Sequence, residues 1–488
     1  MPSLSLLPAW KAGIFSTLKE GAALTSRITR SSHVPAAYAE GQLIEVTTVD
    51  VAHGGWCVAR PDDGPVVFVR HALPGETVRA KVTDVTSRLA RAEAREILAA
   101  SPDRVEAPCP HARPGGCGGC DWQHAALPAQ RALKAAVLRQ QLRRLAGLDR
   151  EITVEPLPGD EEPGAGLGWR TRVQFAVRPD GVAGLRAHRS HEIIDIGQCL
   201  IAHQGITDLG LTARRWPGTS SVEALVATGS GERAVITTPA SSGPAASGPA
   251  ASSPAGSVPP DIPGADAVLR RAGPLNRRLT PVRGRGYLSQ HAAGRDWRVS
   301  AGAFWQVHPG AADALTDAVT TALEPRPGDV ALDLYCGAGL FAGVLAPAVG
   351  PGGTVAGVEA DAAAVRDARH NLRPWPWARV HKGDVTEVLR RGGSRAKTGA
   401  GAAALPPARL VVADPPRSGL AREVIEYLGA TGHGAARFAY VSCDPATLAR
   451  DIGLLMAHGW VLDSLRAFDA FPMTHHVECV ATLLRDPA

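Results

Sequence analysis

A buried strand that ends in a glycine-rich turn is the feature that most constrains the fold of the C-terminal half. Pro327–Tyr335 predicts a parallel strand, and Cys336-Gly-Ala-Gly339 predicts the turn from that strand into a helix. Glycines at such a turn let the backbone approach a ligand, and the helix N-terminus favours a polar or anionic group. Val355–Glu359 predicts a second strand that ends in a carboxylate placed for ribose hydroxyls. These segments indicate an α/β Rossmann-like domain.

The same turn with a later acid also fits a dinucleotide-dependent dehydrogenase, but three features favour a methyltransferase. Ala342 replaces the third glycine of a G-x-G-x-x-G motif. Asp384, in Lys382-Gly-Asp384, follows the third strand, where methyltransferases commonly place the acid that binds adenine. Leu410–Arg417 ends a fourth strand with the motif Asp-Pro-Pro-Arg. Amino-group methyltransferases carry a related motif with an aromatic last residue that stacks the base, so Arg417 argues against an amine substrate.

A cysteine and a carboxylate stand at the ends of two further apolar runs near the C-terminus. Cys443 follows Tyr440-Val-Ser442, and Glu478 ends the segment His476-Val-Glu478. Substitution at an unactivated pyrimidine carbon needs such a pair, because a thiolate adds to C6 and a base then removes the C5 proton. Either residue alone would more often be structural. Arg417 or Arg450 is expected to lower the pKa of the Cys443 thiol.

Together these motifs resemble the RNA uracil-5 methyltransferases that use S-adenosylmethionine. The resemblance rests on Asp-Pro-Pro-Arg417 before a strand that ends in Ser-Cys443-Asp-Pro, and on Gln306 in an F-x-Q pattern. It implies that Cys443 is the nucleophile and Glu478 the base. The residues that it implies in contact with the cofactor are Gln306, Tyr335, Gly337, Gly339, Glu359, Asp384 and Asp414.

Two further features lie next to the residues that the family resemblance implies in cofactor binding. Leu340 departs from the family pattern, which has a polar residue such as Asn next to the cofactor. Phe304 and Trp305 are the first two residues of the F-x-Q pattern and are candidate stacking partners for a base that leaves its stack.

Residues 41–100 alternate apolar and polar side chains between turn signals. Four short runs predict strands, namely Leu43–Val49, Trp56–Ala59, Pro65–Val69 and Glu76–Val82. Several short strands in a segment of this length indicate a small OB-like barrel. The order of Ala-His53-Gly-Gly and Leu-Pro-Gly-Glu76 resembles the TRAM domain, an RNA-binding barrel. The basic residues of this segment either follow a phosphate backbone or form a solvated rim.

Four cysteines after the barrel predict a metal site. Cys117 and Cys120 form a C-x-x-C pair flanked by glycines, Cys109 precedes it, and Cys199 stands where a strand gives way to a loop. Four thiolates suit either zinc or a four-iron cluster, and the spacing alone does not separate the two. The family resemblance implies a [4Fe–4S] cluster rather than zinc, because one branch of these methyltransferases ligates the cluster with matching cysteines. The interval between Cys109 and Cys117 is longer here, so we expect an enlarged loop.

The sequence predicts four units along the chain. These are a disordered leader at 1–40, the barrel at 41–100, an α+β central domain at 101–298 and the methyltransferase domain at 299–488. Segments rich in Ala, Ser, Pro and Gly at about 237–266 and about 392–407 cannot bury a core and are predicted to be disordered. In the central domain, residues 169–191 alternate basic and apolar side chains, which indicates a strand with a positive face. Trp169 or Phe175 is there a candidate for base stacking, against the alternative of a plain exposed sheet.

Charge and composition bound the partners. The formal net charge is +5 and the pI is about 8.8, which permits a polyanionic partner without requiring one. We find no apolar run long enough for a membrane span. The eight cysteines are unevenly clustered, which suits metal binding or catalysis in a reducing cytosol.

We therefore expect a cytoplasmic, monomeric enzyme that methylates RNA. The family resemblance favours ribosomal over transfer RNA, because its transfer RNA branch in many bacteria lacks both the barrel and the cluster. The alternatives are an amino-group or cytosine-C5 methyltransferase and a non-catalytic RNA-binding relative.

Overall fold

The computed structural model describes residues 38–485 except residue 63 and the segments 161–164, 241–260, 274–275, 394–404 and 431–433. Most of the predicted leader and the middle of both predicted insertions lie outside the described residues. Within the described part of the chain, no helix is long and apolar enough to cross a membrane.

The N-terminal part is a closed five-stranded barrel. Its strands, in the order β1-β2-β3-β5-β4 around the barrel, are β1 (Leu43–Ala52), β2 (Trp56–Ala59), β3 (Val66–Arg70), β4 (Thr77–Val85) and β5 (Leu89–Ala99). Alternate residues of β1 and β4 point inward, so that Ile44, Val46 and Val78 are buried. The OB-like barrel and its first four strands are confirmed. The strand β5 was not predicted, because its alanine- and glutamate-rich sequence favours helix.

The central domain is built on a seven-stranded sheet. Its strands are β7 (Arg172–Val177), β8 (Ala183–Arg186), β9 (Ile193–Ile194), β10 (Thr219–Val226), β11 (Arg233–Pro239), β12 (Ala267–Gly273) and β13 (Asn276–Arg283), in the order β13-β12-β11-β10-β7-β8-β9. The short helix α2 (Gln204–Thr207) packs on β10. Trp169 and Phe175 are each only 4% exposed. The prediction that they stack RNA bases is therefore wrong, because both rings lie in hydrophobic clusters.

The predicted insertion at 237–266 is wrong at both ends. Thr237 and Thr238 are buried in β11, and Ile262 is fully buried. The second predicted insertion, at 392–407, also begins too early, because the helix α6 continues to Gly393. At its other end, Leu405 packs against the core.

The C-terminal domain has an eight-stranded sheet with helices on both faces. The strands are β6 (Val154–Glu155), β16 (Val330–Leu334), β17 (Thr354–Glu359), β18 (Ala378–Lys382), β19 (Leu410–Ala413), β20 (Arg437–Ser442), β21 (Val461–Phe468) and β22 (Glu478–Leu484), in the order β18-β17-β16-β19-β20-β22-β21-β6. The helices are α1 (Leu127–Gln141), α3 (Ala311–Leu323), α4 (Leu340–Val349), α5 (Ala362–Asn371), α6 (Val385–Gly393), α7 (Arg422–Gly429) and α8 (Pro445–Ala457).

The strand order of this sheet reverses next to β16, with β17 on one side and β19 on the other. Ligands of open α/β sheets bind at such a switch point, beyond the carboxyl ends of the strands. The prediction of a Rossmann-like domain is confirmed. The crevice at this switch point lies beside the strand ends that carry the sequence motifs.

The boundary of the predicted central domain at 101–298 is wrong for its first helix and strand. A π-helical turn, Leu142–Ala146, follows α1, and Leu138 and Leu142 lie in the same hydrophobic cluster as Leu448 of α8. The strand β6 pairs in parallel with β21 at the edge of the sheet. The buried Lys134 of α1 forms an ion pair with the buried Asp469. A hairpin, β14 (Tyr287–Ala292) and β15 (Arg295–Ser300), also packs on this domain, against α5.

Candidate active site

The pairing of β20 with β22 brings the predicted nucleophile and base together. The two strands are antiparallel, and Ser442 pairs with Cys479 at the end of the ladder. Continuing that register by one residue sets Cys443 directly opposite Glu478. Side chains at opposed positions point to the same face, with Cβ atoms about 4.5–5.5 Å apart. The two catalytic candidates therefore share one pocket although 35 residues separate them in the sequence.

The charges around Cys443 keep it a thiol in the free protein. Burial and the nearby Glu478 carboxylate raise the pKa of Cys443 to about 12, while the Arg417 guanidinium acts to lower it. Arg450 is occupied elsewhere, because its Nε donates to Asp451 Oδ1 at 2.8 Å and its Nη2 to the Ser418 carbonyl at 2.9 Å. Of the two arginines proposed from the sequence, Arg417 is the one that acts on the thiol.

Two carboxyl groups face each other across this pocket. Glu478 is only 4% exposed, and burial together with Asp414 raises its pKa well above the ordinary value, against the lowering effect of Arg417. Burial raises the pKa of Asp414, at the end of β19, to about 7. Two neighbouring carboxyl groups do not both ionise in such surroundings. The pair therefore holds a proton near neutral pH.

His476 connects Arg417 to the base strand. Burial and the charges of His475 and Arg417 lower the pKa of His476 to about 3, so its imidazole is neutral. The Nη2 of Arg417 lies 3.4 Å from His476 Nε2. This contact holds the otherwise exposed Arg417 over the pocket that contains Cys443 and Glu478.

The glycine-rich turn forms an open cradle after β16. Gly337 has φ +53°, and a Cβ atom placed on it would meet nothing within 4 Å. Gly339 has φ +88°, and a Cβ atom there would press on Ala368 at 3.2 Å. The Glu359 carboxylate accepts hydrogen bonds from the Gly337 amide at 3.0 Å and from the Asp361 amide at 2.7 Å. The space beside Gly337 fits the close approach of a ligand, and Glu359 holds the turn in place.

The remaining predicted cofactor residues surround the same crevice. Tyr335 has φ +65°, and burial together with Asp384 raises the pKa of its hydroxyl to about 12. Asp384 accepts from the Thr386 amide at 2.9 Å at the start of α6. Gln306 is buried in the segment between β15 and α3. Leu340, the departure from the expected polar residue, is buried at the start of α4.

Asp333 is a candidate site residue that the sequence reasoning missed. It is fully buried in β16, and burial raises its pKa to about 8. Its Oδ2 accepts from the Ala342 amide at 2.8 Å, whereas its Oδ1 has no partner among the described residues. An acid inside an otherwise apolar buried strand was the available signal, since such a group is costly without a function.

The four cysteines of the predicted metal site converge on one cavity of about 830 Å³, which Arg170 also lines. The Cys117 sulfur accepts from the Gly119 amide at 3.3 Å, and the Cys120 sulfur from Gln123 Nε2 at 3.1 Å. Burial raises the pKa of Cys117 to about 11, and the charges of Cys199 and Cys109 raise it further. Converging thiols, amide donors and a cation form a set that fits a thiolate-bound metal group.

The spacing of these cysteines bears on which metal group fits. In the described part of the chain, no three His, Cys, Asp or Glu side chains are grouped so as to hold one metal ion. A single zinc draws its sulfurs to about 2.3 Å from one point. The four cysteines therefore line one cavity without being grouped, among the described residues, as the ligands of a single metal ion.

The barrel and the cysteine loop both contact the catalytic domain beside Cys443. His53 Nε2 lies 3.2 Å from Asp444 Oδ2, and the other oxygen of Asp444 accepts from the Thr447 amide at 2.9 Å at the start of α8. Asp121, next to Cys120, accepts from Arg70 at 3.1 Å and from His475 Nδ1 at 2.6 Å. The sequence reasoning missed this junction, because its members are hundreds of residues apart and carry no local motif.

The two candidate stacking residues differ in exposure. Phe304 is 65% exposed, so its ring is available to a base. Trp305 is half-buried, and its ring centre lies 6.3 Å from that of Trp297. The remaining cysteines, Cys57, Cys336 and Cys479, are buried, which fits a structural role for them.

Comparison with known proteins identifies two domains of this chain and several of its relatives. Residues 290–486 match the family model of tRNA (Uracil-5-)-methyltransferases, and residues 39–94 match the TRAM domain. A Streptomyces coelicolor protein called an uncharacterized RNA methyltransferase is 50% identical, over 91% of this chain and 93% of its own length. A Bifidobacterium longum protein of the same description is 33% identical, over 90% of this chain and 96% of its own.

Among solved structures, the chain resembles the tRNA (uracil-54, C5)-methyltransferase of Pyrococcus abyssi, which was crystallised with S-adenosyl-L-homocysteine. The TM-score is 0.63 at 21% identity, with 91% of this chain and 100% of that one covered. This likeness concerns the fold. With the family models and the relatives, it leads to one conclusion: the chain belongs to the family of TRAM-domain-containing RNA (uracil-5) methyltransferases.

Proposed function

We propose that the enzyme transfers a methyl group from S-adenosylmethionine to carbon 5 of a uridine in ribosomal RNA, by covalent catalysis through Cys443. The observation that carries the proposal is the register of β20 and β22, which sets Cys443 opposite Glu478. Carbon 5 of uracil is too weak a nucleophile to attack a sulfonium unaided. A thiolate and a base that face the same ring remove this difficulty by dividing the reaction into easier steps.

The chain's own residues account for the bonds that form and break. The Cys443 thiolate adds to C6, which makes C5 enolate-like. C5 then takes the methyl group as the methyl–sulfonium bond breaks and S-adenosylhomocysteine leaves. Glu478 then removes the proton from C5, and the C6–S bond breaks to release Cys443 as a thiolate. Burial and Asp414 raise the pKa of Glu478, which makes its ionised form a stronger base, and Arg417 acts to lower that pKa.

The methyl donor is a substrate in this proposal, and it supplies an electrophilic methyl group on a sulfonium. Gly337 leaves room for it at the turn after β16, and Gly339 lets that turn pack closely against Ala368. Glu359 is placed for its ribose and Asp384 for its adenine, while Gln306, Tyr335 and Asp414 line the rest of the crevice. The partnerless oxygen of Asp333 lies beneath the same turn.

The cysteine cavity is proposed to hold a [4Fe–4S] cluster, with Cys109, Cys117, Cys120 and Cys199 as its ligands. Arg170 and the amide donors on the sulfurs favour the thiolate forms that such a cluster needs. When bound, the cluster would cross-link the segment around residues 109–120 to the loop at Cys199. Iron and sulfide content against zinc content in protein purified without oxygen tests this assignment.

Ribosomal RNA is the proposed substrate, with transfer RNA as the alternative, because the barrel and the four cysteines occur together in this chain. The family description and the Pyrococcus abyssi structure name transfer RNA, which makes the alternative worth a direct test. We also propose that the enzyme is a cytoplasmic monomer, since its eight free cysteines suit a reducing compartment. Size-exclusion chromatography with light scattering tests the oligomeric state.

The decisive experiment mixes the full-length protein with S-adenosylmethionine and RNA that contains 5-fluorouridine. Fluorine does not leave as a proton does, so the covalent complex should accumulate as an adduct that resists denaturant. Ribosomal and transfer RNA are tested separately, with Cys443→Ala as the control. An adduct with ribosomal RNA that requires Cys443 supports the proposal. An adduct with transfer RNA alone reassigns the substrate, and no adduct from protein that binds the methyl donor favours an amino-group methyltransferase.

A further inference from the structure

A second basic hollow lies on the catalytic domain, away from Cys443 and from the cysteine cavity. It encloses about 540 Å³ between the hairpin β14–β15 and the end of α5. Four arginines line it, namely Arg285, Arg295, Arg298 and Arg373. No motif in the sequence pointed to this place, because its residues come from two elements and are separated by up to about ninety positions.

Arg295 is held rigidly in this hollow with an unused donor. Its guanidinium lies 4.2 Å from the ring centre of Trp297 and 4.7 Å from that of Trp375. Its Nη2 donates to the Asn371 carbonyl at 2.7 Å, whereas its Nη1 is buried without a partner in the described part of the chain. A buried, unpaired donor on a stacked guanidinium indicates a missing acceptor.

The carboxylates nearby compensate only part of the positive charge. Arg298 donates to Asp367 Oδ1 at 3.1 Å, and Arg285 pairs with Glu232. Asp296 also lines the hollow, but its carboxylate bonds His291.

Two of the four arginines keep an uncompensated charge. Arg373 bonds only the carbonyl and the ring of His370, at 3.3 and 3.4 Å, in the described part of the chain. Among the described residues, neither Arg295 nor Arg373 has a carboxylate partner. The hollow therefore keeps an excess of positive charge, and burial with the charges of Arg373 and Arg298 lowers the pKa of His370.

An aromatic ring completes the surface. Arg298 lies 4.3 Å and Arg285 4.9 Å from the ring centre of Tyr287. Stacked guanidinium groups on an aromatic plane hold their donors in fixed directions, which suits the paired oxygens of a phosphate. A hollow of this size is larger than one free anion needs, and it accommodates a phosphate together with its sugar.

The hollow is joined to the cofactor turn by Asn371. The Asn371 side chain donates to the Ala338 carbonyl at 2.9 Å and accepts from the Arg298 amide at 2.9 Å. From β15 the chain runs on to the exposed Phe304 and to Gln306. The hollow and the exposed Phe304 therefore stand at the two ends of one short segment of the chain.

We infer that this hollow binds a phosphodiester of the RNA substrate at a distance from the target uridine. The inference rests on the proposed action on RNA and adds a contact that positions the strand without touching the reacting base. Contacts of this kind supply affinity that depends on salt rather than on sequence.

The test measures binding of ribosomal and transfer RNA to the full-length protein at several salt concentrations. The variants are Arg295→Gln and Arg373→Gln. Arg373 is exposed, so Arg373→Gln removes no buried stacking contact and keeps the test valid if Arg295→Gln misfolds. Arg422→Gln is the matched control, because Arg422 is 87% exposed on α7 and bonds only Glu426 in the described part of the chain. Each hollow variant should raise Kd about tenfold. Each should also reduce the slope of log Kd against log salt by about 0.7–0.9.

Equal Kd values and equal slopes for the hollow variants and Arg422→Gln would overturn the inference. Titration with inorganic phosphate separates the two possible sources of the ligand. Phosphate binding that Arg295→Gln removes, with RNA binding unchanged, would make the hollow a free-anion site and would also overturn it. Because binding is measured without methyl transfer, these outcomes are independent of whether the enzyme modifies uridine.

Discussion

Cys443 and the four cysteines of the central cavity are alike in being partly buried, and they differ in the groups that face them. Cys443 has three carboxyl groups, those of Glu478, Asp414 and Asp444, and one arginine around it. Cys117 has the other cysteines and Arg170 around it. Burial raises the pKa in both places, but a lone thiol opposite a base is suited to attack a ring, whereas converging thiols are suited to share a metal group. The neighbours of each cysteine, more than its burial, separate the two roles.

Removing the nucleophile should have the largest effect. Cys443→Ala is expected to lower turnover on the order of 10⁴-fold or more, because no other thiol faces the base. Methyl transfer from labelled S-adenosylmethionine measures it. Cys57→Ala, a buried cysteine of the barrel, is the control and should keep nearly full turnover. Comparable losses in both variants would mean that the proposed difference between the cysteines is wrong.

Removing the base should stop the reaction after methyl transfer. Glu478→Gln keeps the shape of the side chain but cannot take the C5 proton, so turnover should fall roughly 10²- to 10⁴-fold. A methylated adduct with ordinary uridine RNA should then accumulate on denaturing gels. A variant that turns over slowly with no trace of adduct would place Glu478 outside the proton-removal step.

The pH dependence of adduct formation should show the raised pKa of the nucleophile. Because the thiolate reacts and the pKa of Cys443 is about 12, the rate should rise about tenfold per pH unit between pH 6 and 9. Arg417 lowers that pKa, so in Arg417→Gln the same rise should shift to higher pH, with a slower rate at any given pH. A rate that is level across this range would show that Cys443 is already ionised.

Changes in the cysteine cavity should slow the reaction less than a change at Cys443 does, but they should remove most of the bound metal. Cys199→Ser is expected to lose most of the bound iron and to slow adduct formation only about tenfold, since Cys199 supports the active site from a distance. Iron analysis and the adduct rate are measured on the same preparation. Loss of the adduct as complete as in Cys443→Ala would remove the distinction between the two thiol sites.

The smallest expected effect is that of the barrel on the nucleophile loop. His53→Ala removes the contact with Asp444, which is partly exposed, so kcat should fall only two- to fivefold, about what such a pair contributes. The Kd for RNA should stay constant, because the contact orders the loop after Cys443. A change in Kd with constant kcat would make His53 an RNA contact instead.

Whether a feature could be predicted from the sequence depended on how many positions separate the interacting residues along the chain. The glycine-rich turn, Asp384 and Cys443 each stand within a few residues of a strand end, so a local pattern identified them. The register of β20 and β22 also agreed with the pair proposed from motifs. Asp121 and His475 interact across 354 positions, and no pattern marks either of them. Contacts set by tertiary packing leave no periodic trace in a single sequence.

The strand β6 has a consequence for the synthesis of the protein. It pairs with β21 through Val154 and Ala467. A strand that is synthesised early therefore completes the edge of a sheet whose other strands are synthesised much later. At about 5–20 residues per second, the ribosome needs roughly 15–60 s to add the residues between them. During that interval α1 and β6 lack the surface that buries them, and Lys134 lacks Asp469. A chain that begins at residue 299 therefore lacks the helix and the edge strand that complete this domain, and a nascent chain holds its first helix and strand without their partners until translation is nearly complete.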